Sequence, residues 1–165
     1  MAYDGRIGPF IEFFKQGLLP CFSNRDLIGF DEKYVKAMLL CLIRVSGMYI
    51  PVSEREVEKG YTDIFLQKDS RYDFDTEWII ELKYVKITDH KKKGKKAEES
   101  RAKRIEQAKT DAIDQLKKYN DPKTLDHVLQ DITDSNRPFF KAKNVRKAYL
   151  IIVGKQDVVW GEVVR

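Results

Sequence analysis

The chain has 165 residues, a net charge of +5 and 42% hydrophobic residues. This length fits one domain with a substantial core, and this composition excludes a largely disordered chain. Two distant cysteines, Cys21 and Cys41, argue against a disulfide framework or a thiolate zinc site, and no apolar run reaches the roughly 20 residues of a membrane helix. We therefore expect a cytoplasmic protein without membrane contact.

The first long predicted element is a helix over residues 31–46. Residues 1–27, with several apolar side chains and Pro20, are predicted to be an N-terminal extension of a domain that spans residues 28–165. Asp31 is a suitable N-cap for the helix, and Gly47 a suitable end. Apolar residues at spacings of three and four predict the face that packs on the core: Phe30, Tyr34, Ala37, Met38, Cys41, Leu42 and Val45.

Three strands are predicted to follow this helix, at residues 49–57, 61–67 and 77–85. Glu54 and Glu56 lie two positions apart on the first strand, so their side chains share one face. The third strand is apolar on both sides, which predicts a central place in the sheet. A helix over 97–119, a short helix over 123–131 and strands at 146–153 and 158–164 complete a mixed α/β domain whose sheet is covered by helices.

Most of the positive charge lies between Lys83 and Lys96, where seven lysines and one aspartate give +6, so the remaining residues carry a net −1. A lysine cluster of this kind either binds the phosphates of a nucleic acid or forms a solvated loop. The residues predicted to contact nucleic acid are Lys86, Lys91, Lys92, Lys93, Lys95 and Lys96.

Glu81 and Lys83 are the main candidates for chemistry. They lie two apart on the third strand, so their side chains project together, and the apolar residues before them predict that this acid and this lysine are partly buried. If strands two and three form a hairpin centred on Tyr72, Asp63 faces Glu81. Two adjacent carboxylates favour a cation such as Mg²⁺ between them, unless one acid stays protonated or Lys83 compensates both.

A magnesium ion between two carboxylates suits the hydrolysis of phosphodiester bonds. The ion would polarise the scissile phosphate, and Lys83 would position the attacking water or offset the charge that develops on the phosphoryl oxygens. The lysine cluster would hold the nucleic-acid backbone without reading its sequence.

Two motifs, Gly60-Tyr61-Thr62-Asp63 and Ile79-Ile80-Glu81-Leu82-Lys83, resemble those of the PD-(D/E)XK nuclease superfamily. The resemblance covers residues 28–155 and is greatest to bacterial nuclease-like domains that often follow an AAA-type ATPase domain. It implies a restriction-endonuclease-like core of helix, three strands, helix and strand, with a mixed central sheet flanked by helices. Thr62 stands where the superfamily has its eponymous proline.

The resemblance also implies a set of site residues. Asp63, Glu81 and Lys83 correspond to the metal-binding and catalytic set, with Mg²⁺ or Mn²⁺ as the cofactor. Glu32 corresponds to a glutamate on the first helix, and Gln115 to a glutamine on the helix after the third strand. Further carboxylates for the metal are expected from Glu54 or Glu56.

The predicted function is that of a metal-dependent nuclease, with DNA as the expected substrate. The first alternative is an inactive nuclease-like module that binds nucleic acid or a partner ATPase domain. Because the ATPase domain that accompanies the resembling family is not in this sequence, residues 1–25 are expected to be the tail of a longer protein. The second is a purely structural interaction module whose contact surface is the apolar part of residues 1–25.

Overall fold

The fold is a five-stranded mixed sheet with helices on both faces. The computed structural model describes residues 1–23, 31–57, 60–86, 95–120, 144–154 and 157–164, with the backbone alone at 55–57 and 60. The strands are β1 (Tyr49–Val57), β2 (Gly60–Lys68), β3 (Thr76–Val85), β4 (Asn144–Val153) and β5 (Asp157–Glu162). The α-helices are α1 (Gly8–Phe13), α2 (Glu32–Ser46) and α3 (Lys95–Lys118).

The strands lie in the sheet in chain order, from β1 at one edge to β5 at the other. Every neighbouring pair is antiparallel except β3 and β4, which are parallel and are separated in the chain by α3. β3 is therefore central, as its apolar sequence predicts. The predicted α/β class and the restriction-endonuclease-like arrangement are confirmed.

Helix α2 begins and ends where the sequence predicts. The Asp31 carboxylate accepts the backbone N–H groups of Lys33 and Tyr34, which have no partner inside the helix. Gly47 ends the helix with a φ of +72°, a conformation that glycine adopts at little cost.

The packing face of α2 differs from the predicted one. Its buried residues are Val35, Leu39 and Ile43, whereas Tyr34 and Val45 are exposed. The sequence carries two apolar stripes at helical spacing, and the α2 stripe that meets the sheet is the aliphatic one. Of the predicted face, Met38 and Leu42 are partly buried beside it.

Helices α2 and α3 cover opposite faces of the sheet. Alternate residues of β3, such as Ile80 and Leu82, join the core beneath α2, whereas Ile79 joins a second core beneath α3. The α3 residues in that second core include Ala112 and Leu116, which lie on the predicted apolar face of this helix. The sheet face under α3 also carries the candidate site.

The N-terminal segment packs into the α2 side of the core. Ile7, Ile11 and Phe14 are buried there, so these side chains cannot form the contact surface that the sequence suggested. The Arg146 guanidinium donates to the Gly5 carbonyl at 2.6 Å and so links this segment to β4. The domain boundary after residue 27 stays a prediction.

Two further expectations concern segments away from the site. In the described parts of the chain, no helix combines the length and apolar character needed to cross a membrane. The helix predicted at 123–131 lies outside the described residues.

Candidate active site

The pairing of β2 with β3 brings two acids side by side. Ile64 pairs with Ile80, and Leu66 with Trp78, which is the predicted register centred on Tyr72. One position beyond the Ile64–Ile80 pair, Asp63 reaches across to β3, where its Oδ2 accepts the backbone N–H of Leu82 at 3.0 Å. This bond fixes the Asp63 carboxylate next to Glu81.

Asp63, Glu81 and Lys83 share the α3 face of the sheet. Phe65, two positions after Asp63, and Ile79, two positions before Glu81, both belong to the core beneath α3. Leu82 points the other way, into the core beneath α2. The strand period therefore separates the charged side chains from the apolar one, as predicted.

Lys83 bridges the two carboxylates. Its Nζ donates to Glu81 Oε1 at 2.7 Å and lies 3.8 Å from Asp63 Oδ2. The Glu81 residue is only 4% exposed, and the side chains of Asp63 and Lys83 are partly buried. One ammonium group thus faces two acids in a weakly solvated position.

Burial raises the pKa of Glu81 to about 7, and the negative charge of Asp63 adds to this rise, while Lys83 opposes it. The second carboxylate oxygen, Glu81 Oε2, is buried and has no hydrogen-bond partner among the described residues. Burial therefore makes this carboxyl hold its proton to higher pH than an ordinary glutamate does, unless a cation replaces the proton.

The pKa of Lys83 is raised, although the side chain is partly buried. Burial alone would lower it, but the hydrogen bond to Glu81 and the charges of Glu81, Asp63 and Glu32 raise it above its ordinary value. Lys83 is therefore a permanent cation at neutral pH.

Glu32, the first residue of α2, reaches the same end of β3. Its Oε2 accepts the backbone N–H of Tyr84 at 3.2 Å, and its charge acts on Lys83. The structure thus brings this predicted residue to the edge of the site, where it holds the end of β3 rather than contacting Asp63 or Glu81 in any described bond.

Gln115 lies on α3 near the site but is engaged within its own helix. Its Nε2 donates to the Tyr119 hydroxyl at 3.5 Å, and its Oε1 accepts from Lys118 at 2.7 Å. The Tyr119 hydroxyl in turn donates to the Tyr61 carbonyl at 3.1 Å, two residues before Asp63.

Sequence reasoning missed Tyr119 and Tyr61 as neighbours of the site. Tyr119 follows Gln115 by four residues, so the two side chains share one helix face, and this spacing could have indicated that Tyr119 lies near the site. Burial raises the pKa of Tyr119 to about 12, with contributions from the charges of Glu81 and Asp63, which places this hydroxyl within their electrostatic reach.

One of the two further carboxylates predicted for the metal, Glu54, is not brought to the acid pair. Glu54 is 64% exposed at its side chain and forms an ion pair with Lys36 of α2 at 2.7 Å. Regular alternation along β1 would put the Glu54 side chain on the same face as Val52, which packs against the core beneath α3. The positive φ of Glu54, +50°, interrupts this alternation. The Glu56 side chain lies outside the described residues.

Part of the predicted lysine cluster is exposed after β3 and at the beginning of α3. Lys86 is exposed directly after this strand, and its carbonyl accepts from Arg104 of α3 at 3.0 Å. Lys95 and Lys96 are exposed in the first turn of α3. Lys91, Lys92 and Lys93 lie outside the described residues.

The acid pair has the chemistry of a hard-cation site. Within the described ranges, no group of three or more histidine, cysteine, aspartate or glutamate side chains is close enough to hold a metal. Mg²⁺, however, is commonly held by one or two carboxylates and keeps several waters. Asp63 and the unpartnered oxygen of Glu81 meet that smaller requirement.

Comparison with known protein families gives a match over most of the chain. The family model described as PD-(D/E)XK nuclease superfamily matches residues 30–153, which include Glu32, Asp63, Glu81, Lys83 and Gln115. Comparisons with curated proteins and with solved structures find no match.

Proposed function

The chain belongs to the PD-(D/E)XK nuclease superfamily, and from this premise we propose that it hydrolyses phosphodiester bonds of nucleic acid at Asp63, Glu81 and Lys83. The observation that carries the proposal is the buried Glu81 carboxylate, which shares Lys83 with Asp63 and has one oxygen without a partner in the part of the chain that the structure describes. Burying two acids and a lysine is costly for a purely structural role, so a reaction is the better explanation.

Nucleases of this superfamily generally use divalent metals, and we propose that Asp63 and Glu81 hold Mg²⁺ or Mn²⁺. Such an ion supplies Lewis-acid activation of the phosphate and of a water molecule. The protein contributes a fixed pair of carboxylates, because the Leu82 N–H holds Asp63 and the Lys83 ammonium holds one oxygen of Glu81. Glu54 remains a candidate for a third ligand only if its ion pair with Lys36 breaks, and Glu56 stays a predicted ligand.

Lys83 is the proposed electrophilic residue. The negative charge on the phosphoryl oxygens grows in the transition state, and a fixed cation in a weakly solvated site stabilises this charge more than water does. Because the surrounding acids raise the pKa of Lys83, the ammonium keeps its proton and acts through charge and hydrogen bonding. It is also within reach to orient the attacking water.

Glu32 and Gln115 are proposed to support the site from the two helices. Glu32 holds the end of β3 through the Tyr84 N–H, which fixes the backbone just after Lys83. Gln115 contacts the Tyr119 hydroxyl, which in turn holds the backbone of β2 just before Asp63. Both residues therefore act on strand segments that carry the reacting groups.

The lysines around the site are proposed to hold the phosphate backbone. Lys86, Lys95 and Lys96 are exposed near the end of β3 and the beginning of α3, and they belong to the +6 segment of the sequence. Contacts of this kind position a nucleic acid without reading its sequence. We propose DNA as the substrate, and we also propose Lys91, Lys92 and Lys93 as contacts.

The test is hydrolysis of labelled single-stranded DNA, double-stranded DNA and RNA with Mg²⁺ or Mn²⁺, for the wild type and for Lys83→Ala. Removing one stabilising group of this type lowers the rate about 10²- to 10³-fold. Lys15→Ala is a matched control, because Lys15 also pairs with a carboxylate, Asp157 at 2.8 Å, but far from the acid pair in the sheet. Equal activity of wild type and Lys83→Ala would refute the proposed site.

A second candidate function is an inactive module that binds nucleic acid or a partner ATPase domain. The observation that favours it is the limited number of ligands, since the described residues offer two adjacent carboxylates already neutralised in part by Lys83. In that case nucleic-acid binding should survive Glu81→Ala and should not depend on divalent ions. Nucleic-acid binding that requires Mn²⁺ in the wild type and is lost in Glu81→Ala would exclude it.

A further inference from the structure

Tyr61 presents an exposed aromatic ring beside the acid pair. It is 57% exposed, while the next aromatic residue of β2, Phe65, is completely buried. Tyr61 and Asp63 are two positions apart, so the strand alternation puts both on the α3 face of the sheet, and the buried Thr62 between them points to the other side. The ring thus stands on the side of the sheet where the reaction is proposed.

The backbone of Tyr61 is held from two sides. Its position in β2 pairs with Glu56 of β1. On the β3 side, the described ladder of β2 with β3 ends at the Ile64–Ile80 pair, and the Tyr119 hydroxyl takes the place of a strand partner by donating to the Tyr61 carbonyl. Tyr119 itself is only 1% exposed, so this donor is packed in place.

A fixed and exposed ring next to a phosphate-binding centre is suited to stack on a nucleobase. Every base has a π-face, so stacking on an aromatic side chain tolerates any sequence. Inside a duplex both faces of a base are already stacked on its neighbours, whereas an unpaired base can offer a free face. The ring of Tyr61 therefore favours strands that are not paired at the site.

We propose that Tyr61 is a specificity-determining residue whose ring stacks on an unpaired base next to the phosphate at Asp63 and Glu81. The inference rests on the proposed function and makes it narrower: the substrate class is single-stranded nucleic acid or a single-stranded end. The Tyr119 hydroxyl keeps this stacking surface in a constant position relative to Asp63.

The experiment measures binding separately from hydrolysis. Fluorescein-labelled oligo-dT, oligo-rU and a blunt-ended DNA duplex without unpaired bases are titrated in EDTA against the wild type, Tyr61→Ala and Tyr61→Trp, with anisotropy as the readout. Tyr3→Ala is the control, because Tyr3 is 65% exposed but packs on Phe74, near the opposite end of β3. The oligo-dT and oligo-rU arms decide between DNA and RNA as the source of the unpaired base.

We expect Tyr61→Ala to weaken the binding of one or both single strands by about tenfold or more, in line with the loss of one stacked base. Tyr61→Trp should retain this affinity, Tyr3→Ala should leave it unchanged, and the affinity for the duplex should be nearly the same in all variants. Equal weakening for duplex and single strands, or no weakening at all, would overturn the inference.

The hydrolysis assay distinguishes this inference from the proposed function. If the wild type cleaves nucleic acid and Tyr61→Ala binds single strands normally, the stacking role is wrong and the nuclease assignment stands. If Tyr61→Ala loses single-strand binding but the wild type cleaves no substrate, the stacking role stands and the nuclease assignment is wrong. A wild type that binds no nucleic acid in EDTA and cleaves none with Mg²⁺ or Mn²⁺ would refute both.

Discussion

Glu81→Gln should change the pH dependence of stability in a defined direction. Without a divalent ion, the folded protein holds the Glu81 carboxyl in a buried position beside Asp63, which raises its pKa from 4.5 to about 7. Glutamine keeps the shape of the side chain and its hydrogen-bonding capacity toward Lys83, but it carries no charge. The substitution therefore removes the titration while leaving the site filled.

The sign follows from proton binding in the two states. Between pH 4.5 and about 7 the unfolded chain has lost the Glu81 proton and the folded protein has kept it, so the stability of the wild type falls as the pH rises through this window. One pH unit of difference in proton affinity corresponds to about 1.4 kcal/mol, so the wild type should lose about 3 kcal/mol relative to Glu81→Gln between pH 4.5 and pH 8.

The assay is urea unfolding of the wild type and Glu81→Gln in EDTA at several pH values from 4.5 to 8. The control is Glu54→Gln, because the hydrogen bond and charge of Lys36 lower the pKa of Glu54. In this control the wild type should be slightly more stable than Glu54→Gln. This difference should be lost as the pH falls below the ordinary pKa of a glutamate. A difference between wild type and Glu81→Gln that does not change with pH would refute the buried, acid-paired state of Glu81.

Three further outcomes follow from other parts of the structure. Asp31→Ala should lower the free energy of unfolding by about 1 kcal/mol in urea titrations, because two N–H groups of α2 lose their acceptor, and an unchanged midpoint would contradict this cap. Gly161→Ala should cost about 1 to 3 kcal/mol, since its Cβ would lie 2.6 Å from the hydroxyl of Tyr149. A normal melting temperature for this variant would contradict the close approach of β5 to that ring. Neutralising the exposed lysines Lys86, Lys95 and Lys96 should reduce the slope of the log binding constant for DNA against log salt concentration by about two to three. An unchanged slope would show that these three lysines do not contact the phosphates.

The strand register was predictable because the hairpin between β2 and β3 is nearly symmetric about Tyr72. The position of Asp63 opposite Glu81 followed from counting residues, and the observed Ile64–Ile80 pair confirms that count. Strand alternation then placed Lys83 next to Glu81 without any knowledge of the tertiary structure. Local rules sufficed here because the reacting groups lie on two adjacent strands.

The face of α2 was not predictable in the same way. Two apolar stripes compete on this helix, one through Tyr34 and Val45 and one through Val35 and Leu39. Helical spacing allows both, and the choice depends on which partners lie beneath the helix. The N-terminal residues Ile11 and Phe14 are part of that core, and their contribution is a tertiary contact that periodicity does not contain.

The support around the acids was also hidden from the sequence. The link from Gln115 through Tyr119 to the Tyr61 carbonyl spans α3 and β2, which are far apart in the chain. Likewise, the family resemblance implied Glu54 or Glu56 as a further carboxylate for the metal, but the positive φ of Glu54 and its ion pair with Lys36 take Glu54 elsewhere. Such long-range contacts depend on how α2 and α3 dock on the sheet.

The most direct test of the hydrolytic centre is a crystal structure of the protein soaked with Mn²⁺. The proposal predicts anomalous density within about 2 to 2.5 Å of carboxylate oxygens from both Asp63 and Glu81, with the Lys83 ammonium alongside. Density of this kind should be absent from an Asp63→Asn crystal soaked in the same way. An ordered wild-type site without manganese, or manganese bound by neither acid, would contradict the proposal.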